Sequence, residues 1–311
     1  MGRYVVTGAA GFIASSLAEQ LLRSGHDVVG LDSFTDYYPE DVKRRNAALI
    51  PVRELDLVQA DLDAVLSAAD GVYHLAAQPG VRSSWGADFA IYARDNVVAS
   101  QRVFEAAARA GRRVVFASSS SVYGDSERYP TREDVEPQPR SPYGVTKLAA
   151  EHLARASMRS LGLDVVILRY FTVYGPRQRP DMAFGRIFEA LALGSPFDVY
   201  GDGSQSRDFT YVDDAVQAAI VAMAGGRPGA TYNVGGGSTA TIKDAIAVCE
   251  RVAGRTLDVR RRPQAPGDVR RTSADTTAIR SEFGWTPSVT LEDGLHRQWE
   301  WAAARETVTA R

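Results

Sequence analysis

Cysteine is nearly absent from this chain. Among 311 residues there is one, Cys249, which excludes an intramolecular disulfide and fits a reducing compartment. Its apolar neighbours predict a buried structural thiol rather than a reactive one. An excess of either charge is missing too: 36 Lys and Arg stand against 38 Asp and Glu, a formal net charge of -2. Such a balance argues against a surface that coats nucleic acid or membrane, while leaving room for a local basic site that holds a small anion. No apolar run approaches the roughly 20 residues of a membrane helix. The chain starts on a strand-like segment with no basic leader or apolar signal run, so nothing marks it for export and a cytoplasmic location is expected. Tandem repeats and low-complexity linkers are lacking, and no metal site is expected. What is present is ordinary globular composition, 45% apolar and 24% charged, enough for one large unit or two closely associated domains.

Arg3-Tyr4-Val5-Val6-Thr7 is a short β-branched and aromatic run. It leads into Gly8-Ala9-Ala10-Gly11-Phe12-Ile13-Ala14, after which Leu17, Leu21 and Leu22 recur at helical spacing. The order is strand, glycine turn, helix. Gly8 permits the tight turn, Gly11 lets a pyrophosphate approach the backbone, and Ala14 lets the helix pack closely on the strand. The N-H groups at the helix start would bind the phosphates. A second strand, Asp27 to Leu31, ends at Asp32, whose carboxylate can accept hydrogen bonds from the adenosine ribose hydroxyls and would repel a 2'-phosphate, so NAD is favoured over NADP. A third strand over Val52 to Leu55 ends at Asp56-Leu57, a position suited to clasping adenine. The fourth runs from Gly71 into Leu75-Ala76-Ala77-Gln78, where small side chains leave room for a cofactor. His74 sits inside this apolar run and reads as a satisfied core histidine.

Asn96 to Ala110 has a helical pattern. A fifth strand, Arg113 to Ala117, then ends in Ser118-Ser119-Ser120-Ser121-Val122-Tyr123-Gly124. After a polar, Pro-rich loop from Pro130 to Pro142 comes Tyr143-Gly144-Val145-Thr146-Lys147. Residues four apart share a helix face, so the Tyr143 phenol and the Lys147 ammonium can address one small volume. An ammonium held close to a phenol lowers its pKa from about 10 towards the working pH, which would make Tyr143 a general base. A sixth strand, Leu163 to Arg169, ends in Tyr170-Phe171-Thr172-Val173-Tyr174-Gly175-Pro176. Strands alternating with helices of this length predict an α/β, Rossmann-type doubly wound parallel sheet with ligands at the carboxyl ends of its strands.

Beyond the sixth strand the composition changes. Arg177 to Phe184 is a basic loop followed by a helix-like run to Leu193, and Gly201 to Phe209 sets glycines beside arginines, as suits a phosphorylated ligand. An apolar helix from Val212 to Ala224 and a short strand, Thr231 to Val234, follow, and the rest looks like a smaller α/β lobe. The expected division is an NAD-binding domain of 1–172 plus roughly 208–236, interleaved with a nucleotide-sugar-binding lobe of 173–207 and 237–311.

With these pieces in place, nearly the whole chain resembles the extended short-chain dehydrogenase/reductase superfamily, and within it the nucleotide-sugar epimerases and dehydratases. The resemblance rests on Gly8-x-x-Gly11-x-x-Ala14, Asp32, Asp56-Leu57, Leu75 to Gln78, the serine cluster, Tyr143-x-x-x-Lys147, Arg169 to Thr172, Gly201 to Asp208 and Pro266-Gly267-Asp268-Val269. It implies a tightly held NAD that takes a hydride from C4' of the sugar and returns it to the other face. Tyr143 would take the 4'-hydroxyl proton, Lys147 would lower the tyrosine pKa and hold the nicotinamide ribose, and Ser119 would share the hydrogen bond to the 4'-oxygen. Phe12, Ile13, Ser33, Asn96, Ser118 and Tyr170 join the cofactor set on the same ground. Dehydratases of the superfamily carry an acidic pair after the catalytic Ser or Thr, and glucuronate decarboxylases carry a glutamate; here those positions are Ser120 and Ser121, so elimination and decarboxylation rank below epimerisation.

Asp36-Tyr37-Tyr38, Gln78 to Arg82, Thr172 to Pro176 and Arg179-Pro180-Asp181-Met182-Ala183 look most like UDP-glucuronate 4-epimerases. Arg179 is the candidate for the uronate carboxylate, which a planar guanidinium can bind by two parallel hydrogen bonds; contact with a phosphate, or a place on a solvated loop, is its alternative. Thr172 is its neighbour, and Gln78, Arg82, Ser120, Ser121, Ala183 and Tyr200 complete the sugar set. Arg207 would meet the pyrophosphate and Asp268 the uridine ribose. Related UDP-galactose epimerases have an arginine where this chain has Ala265, and Arg82 or Arg270 could supply that contact. A UDP-glucose/UDP-galactose 4-epimerase is the second reading; an NAD-sensing binder or a net dehydrogenase are further ones. The resemblance also implies a homodimer, in which the Asn96–Ala110 and Tyr143 helices pack as a four-helix bundle.

Overall fold

The computed structural model describes residues 1–263, 267 and 269–309; Asp268, with Ala265 and Pro266 of the same motif, lies outside them. In chain order the strands are β1 (Arg3–Thr7), β2 (Asp27–Asp32), β3 (Val52–Glu54), β4 (Gly71–His74), β5 (Arg113–Ser119), β6 (Val165–Tyr170), β7 (Thr172–Tyr174), β8 (Phe197–Tyr200), β9 (Ser206–Tyr211), β10 (Thr231–Val234), β11 (Ser238–Thr241) and β12 (Val259–Arg262). Seven of them make one parallel sheet in the order β10-β6-β5-β4-β1-β2-β3. This is the doubly wound arrangement read from the sequence.

Its strands are apolar on both faces because both faces are covered. Val5, Val114, Val165 and Ile167 point to one side, into a core with Val103 and Phe104 of the Ala99–Ala110 helix and Ala150 and Ala154 of the Pro142–Leu161 helix. Their neighbours Val6, Val115, Val166 and Leu168 point to the other, against Leu17 and Leu21 of the Phe12–Arg23 helix and Ala215 and Ala219 of the Val212–Gly225 helix. The period of two along each strand thus sorts consecutive residues into two separate cores. From β1 the chain runs outward through β2 and β3, then returns to place β4 on the other side of β1. The strand order reverses there, and a crevice opens at the carboxyl ends.

Cys249 is fully buried, and so is His74, as expected. The His74 ring bonds Thr7 Oγ1 through Nδ1 at 2.8 Å and Ser100 Oγ through Nε2 at 3.0 Å. Thr7 Oγ1 already accepts from the Leu75 and Ala76 amides, so its own proton goes to Nδ1, and Nε2-H donates to Ser100. No helix among the described residues is long and apolar enough to cross a membrane.

The second lobe departs from the sequence reading in its strands. β11-β9-β7 form a three-stranded sheet and β12 pairs with β8. β12 is Val-Arg-Arg-Arg, exposed throughout, and lacks the alternation that marks a half-buried strand. A second departure lies ahead of the Ala99–Ala110 helix, where Ala93–Val98 forms a π-helical turn.

Candidate active site

The crevice encloses about 470 Å³ and follows the carboxyl ends of β1, β2, β4, β5 and β6. At one end Gly8, Gly11, Phe12 and Ile13 of the glycine turn meet Asp32, Ser33, Asp56 and Leu57. Leu75, Ala76, Ala77, Ser118, Lys147 and Tyr170 make the middle, and Gln78, Ser119, Ser120, Ser121, Tyr143, Thr172 and Arg179 the other end. Gly8 is required: its φ is 69°, and a Cβ there would stand 2.9 Å from the Ala76 backbone. Asp32 is aimed by two amides, Ala10 N to Oδ2 at 3.0 Å and Phe34 N to Oδ1 at 2.8 Å, so each oxygen keeps a lone pair for a hydroxyl in the crevice. Asp56 accepts from Val58 N at 2.8 Å and from Arg94. A bare glycine turn, small middle walls and two fixed carboxylates fit a dinucleotide such as NAD. Lys43 also lines this end, its Nζ 3.0 Å from Thr35 Oγ1 and 4.7 Å from the Tyr38 ring centre. In the sequence it stands among charged neighbours, Glu40-Asp41-Val42-Lys43-Arg44-Arg45, where nothing tells a lysine that turns inward from a solvated one.

The Pro142–Leu161 helix begins where its cap dictates. Ser141 Oγ accepts from Gly144 N at 3.1 Å, and Pro142 occupies the first turn, where its missing N-H has no partner to lose. The next residue is Tyr143. A Cβ on Gly144 would lie 2.5 Å from Ser121 O, so glycine is what allows this helix to press against the serine cluster. The Ser119 hydroxyl stands beside the Tyr143 phenol there and favours its ionised form, and Ser119 Oγ accepts from Ser121 N at 3.1 Å. Tyr92 packs edge-on against Tyr143 at 6.3 Å and donates to Pro79 O at 2.7 Å.

The electrostatics differ from the expectation drawn from Tyr-x-x-x-Lys spacing. Burial pushes the Tyr143 phenol above its ordinary value, opposed by the Ser119 hydroxyl and by the positive charge of Arg179. Desolvation of a phenolate outweighs both, and the cation that favours it is Arg179 rather than Lys147. Lys147 is 4% exposed, its Nζ 4.9 Å from the Phe116 ring centre. Burial lowers it to about 8, with Glu151 opposing.

Glu151, one helical turn beyond Lys147, carries a role the sequence reading missed. It is fully buried and accepts from Ser118 Oγ at 2.6 Å, from Arg169 Nε and Nη2 at 2.9 and 2.8 Å, and from Arg155 at 3.1 Å. These bonds join β5, β6 and the Tyr143 helix directly beneath the serine cluster. An arginine inside the apolar strand β6 was the available signal, since a buried guanidinium requires an acid.

Several expected contacts fall outside the crevice. Asn96 is buried in the π-helical turn: its amide group accepts from Gln78 N at 2.7 Å and donates to Gln78 O and Thr146 Oγ1, each at 3.0 Å. With its polar atoms so used, Asn96 braces the wall that carries Gln78 and Tyr143 rather than forming part of it. The Arg82 guanidinium stacks 4.2 Å from the Tyr200 ring centre, and Arg207 donates to Ser206 O at 2.9 Å. Ala183 opens the Ala183–Leu193 helix just past Met182, which does line the crevice. At the sugar end Arg179 is paired with Asp181.

The model of the NAD dependent epimerase/dehydratase family matches residues 4–235. The chain is 41% identical to an uncharacterized UDP-glucose epimerase of Bacillus subtilis, over 94% of this chain and 95% of that protein. It is 34% identical to a probable UDP-glucuronate 4-epimerase of Rhizobium meliloti, over 96% of each. Among solved structures, the UDP-glucuronic acid 4-epimerase of Bacillus cereus in complex with UDP-glucuronic acid and NAD superposes with a TM-score of 0.93 at 39% identity, over 97% of this chain and 99% of that one. With a reversing parallel sheet, a glycine turn at its switch point and Ser119, Tyr143 and Lys147 gathered beside it, this chain belongs to the NAD dependent epimerase/dehydratase family.

Proposed function

We propose that the protein interconverts UDP-glucuronate and UDP-galacturonate at C4' through a transient 4-keto sugar. One observation carries the substrate: Arg179 and Thr172 line the same end of the crevice as Ser119 and Tyr143. NAD, when bound, accepts a hydride from C4' and later returns it. Tyr143 removes the 4'-hydroxyl proton, Ser119 shares the hydrogen bond to that oxygen, and Arg179 favours the phenolate. Lys147 holds the nicotinamide ribose, Asp32 the adenosine ribose and Asp56 the adenine, while amides at the start of the Phe12–Arg23 helix take the pyrophosphate. Ser120 and Ser121 are neutral hydroxyls and cannot act as the acid and base of an elimination.

The 4-keto uronate is a β-keto acid, which loses carbon dioxide when the C5-carboxyl bond aligns with the ketone π system. Arg179, with Thr172, holds the carboxylate away from that alignment. In this reading the seven-stranded sheet and its helices bind NAD, and the lobe that carries β7, β8, β9, β11 and β12 binds the nucleotide, with Arg82 and Arg207 towards its phosphates; because β7 and β9 each stay whole in that lobe, the divisions expected after 172 and before 208 fall at the ends of these strands instead. A second copy covers the exposed apolar side chains of Phe89, Ile91, Val98 and Val145, which lie along the packed Gly86–Val98 segment and Tyr143 helix.

The second reading, a UDP-glucose/UDP-galactose 4-epimerase, is favoured by one detail: the Arg179 fork is already held by Asp181. Incubation with each UDP-sugar without added NAD, followed by NMR of the 4'-epimers, decides. UDP-galacturonate from UDP-glucuronate is the expected product; galactose epimers alone would replace the first reading by the second.

A further inference from the structure

Arg179 brings its own counter-ion. Its Nε and Nη2 donate to Asp181 Oδ1 and Oδ2, both at 2.9 Å, a two-pronged pairing that takes one of the two edges a guanidinium can offer to a carboxylate. Asp181 is also tied by Tyr37, whose hydroxyl donates at 3.3 Å to Oδ2, the oxygen that accepts from Arg179 Nη2. The Arg179 side chain is 18% exposed and that of Asp181 35%, so the cation is the enclosed partner and the acid the one nearer water. Arg179 and Tyr37 line the crevice, and Asp181 is not among its lining residues.

Resting on the uronate reading, we propose that Asp181 is a specificity-determining residue that occupies the Arg179 fork as an internal stand-in for the uronate carboxylate and is exchanged for it when substrate binds. A buried guanidinium without a partner is costly, and Asp181 supplies one whenever the crevice holds no acid. Exchange requires a ligand of the same charge and planar shape. A C5 hydroxymethyl group offers one neutral oxygen, cannot replace two charge-assisted hydrogen bonds, and leaves the pair in place. A uronate offers both, and the displaced Asp181 turns to the water it already touches. Asp181 therefore sets how far the uronate is preferred over the neutral sugar, by competing with one and not with the other.

Asp181→Asn keeps the side-chain shape and removes the charge. In a Tyr143→Phe background, which stops turnover, calorimetry with UDP-glucuronate and with UDP-glucose measures the two affinities separately. Removing the competitor is expected to tighten UDP-glucuronate about tenfold and to leave UDP-glucose within about twofold, as the loss of charge-assisted bonds to a competing carboxylate implies. Tyr37→Phe, which loosens Asp181 from one side, moves UDP-glucuronate the same way by less. If Asp181→Asn leaves UDP-glucuronate unchanged or weaker, Asp181 merely orients Arg179 and the exchange is refuted. Equal tightening of both sugars refutes it as well. A Tyr143→Phe protein that binds UDP-glucose but not UDP-glucuronate overturns the uronate reading itself, and the exchange with it.

Discussion

Glu151→Gln is expected to pull the Lys147 ammonium further below its ordinary value. Lys147 and Glu151 are four residues apart on one helix, about 6 Å along its axis. Two unit charges at that separation, in an effective dielectric of about 20, interact by about 3 kcal/mol, which is about two pH units. Arg169 and Arg155 share the Glu151 charge and reduce this, but the glutamine leaves both cations uncompensated beneath Lys147, so the sign holds. A fall of roughly one to two units from the starting value of about 8 follows. The chain has only three lysines, Lys43, Lys147 and Lys243, so a titration of ¹³Cε-lysine NMR signals resolves them. Burial also lowers Lys43, and Lys147→Met makes the assignment. Stability carries the same signature. The folded state holds Lys147 at about 8 against about 10.5 when unfolded, so the unfolded chain binds more protons across that window. This residue's contribution is least favourable below pH 8 and improves as pH rises towards 10.5. A Lys147 midpoint that stays put or rises in Glu151→Gln would show that Arg169 and Arg155 fully cancel Glu151, and would refute the coupling.

Ser119→Ala removes the hydroxyl beside the Tyr143 phenol, and kcat is expected to fall about 10²-fold with little change in KM, by analogy with loss of one preorganised donor at a reacting oxygen; steady-state kinetics on the UDP-sugar that is turned over checks it. His74 is buried as the neutral ring, held at about 3 against an ordinary 6.5. The unfolded chain therefore binds one more proton between those values, and stability falls by about 1.4 kcal/mol per pH unit as pH drops below 6.5. Urea unfolding at pH 6.5 and 5.0 should show this increment in the parent protein and lack it in His74→Gln. Val98→Asp with Val145→Asp should convert a dimer to a monomer in sedimentation velocity, leaving the seven-stranded core intact by circular dichroism.

The first half of the fold was legible because its signals are local. A strand buried on both faces has to be a short continuous apolar run, and β1, β2, β4, β5 and β6 all are; the glycine turn after β1 marks the switch point, and the serine cluster after β5 falls beside it. The second lobe lacks these signals, as β12 shows with three exposed arginines held by pairing to β8. Spacing also gave Tyr143 and Lys147 a shared face, but it could not give the sign of the tyrosine shift, which depends on how much water the folded walls exclude and on Arg179 arriving from 36 positions along the chain. The same limit hid the bracing residues. Only packing shows that the Asn96 amide is taken by Gln78 and Thr146, and Glu151 looked like an ordinary helix acid until Arg169 met it from β6. Asp181 is the sharpest case, standing two positions from a residue singled out for binding a carboxylate. Read along the chain, Arg179-Pro180-Asp181 is a basic residue and an acid with a proline between them. Folded, the acid holds the guanidinium that the uronate reading assigns to the substrate carboxylate, and on that reading the selectivity of the site becomes a competition between two carboxylates for one guanidinium.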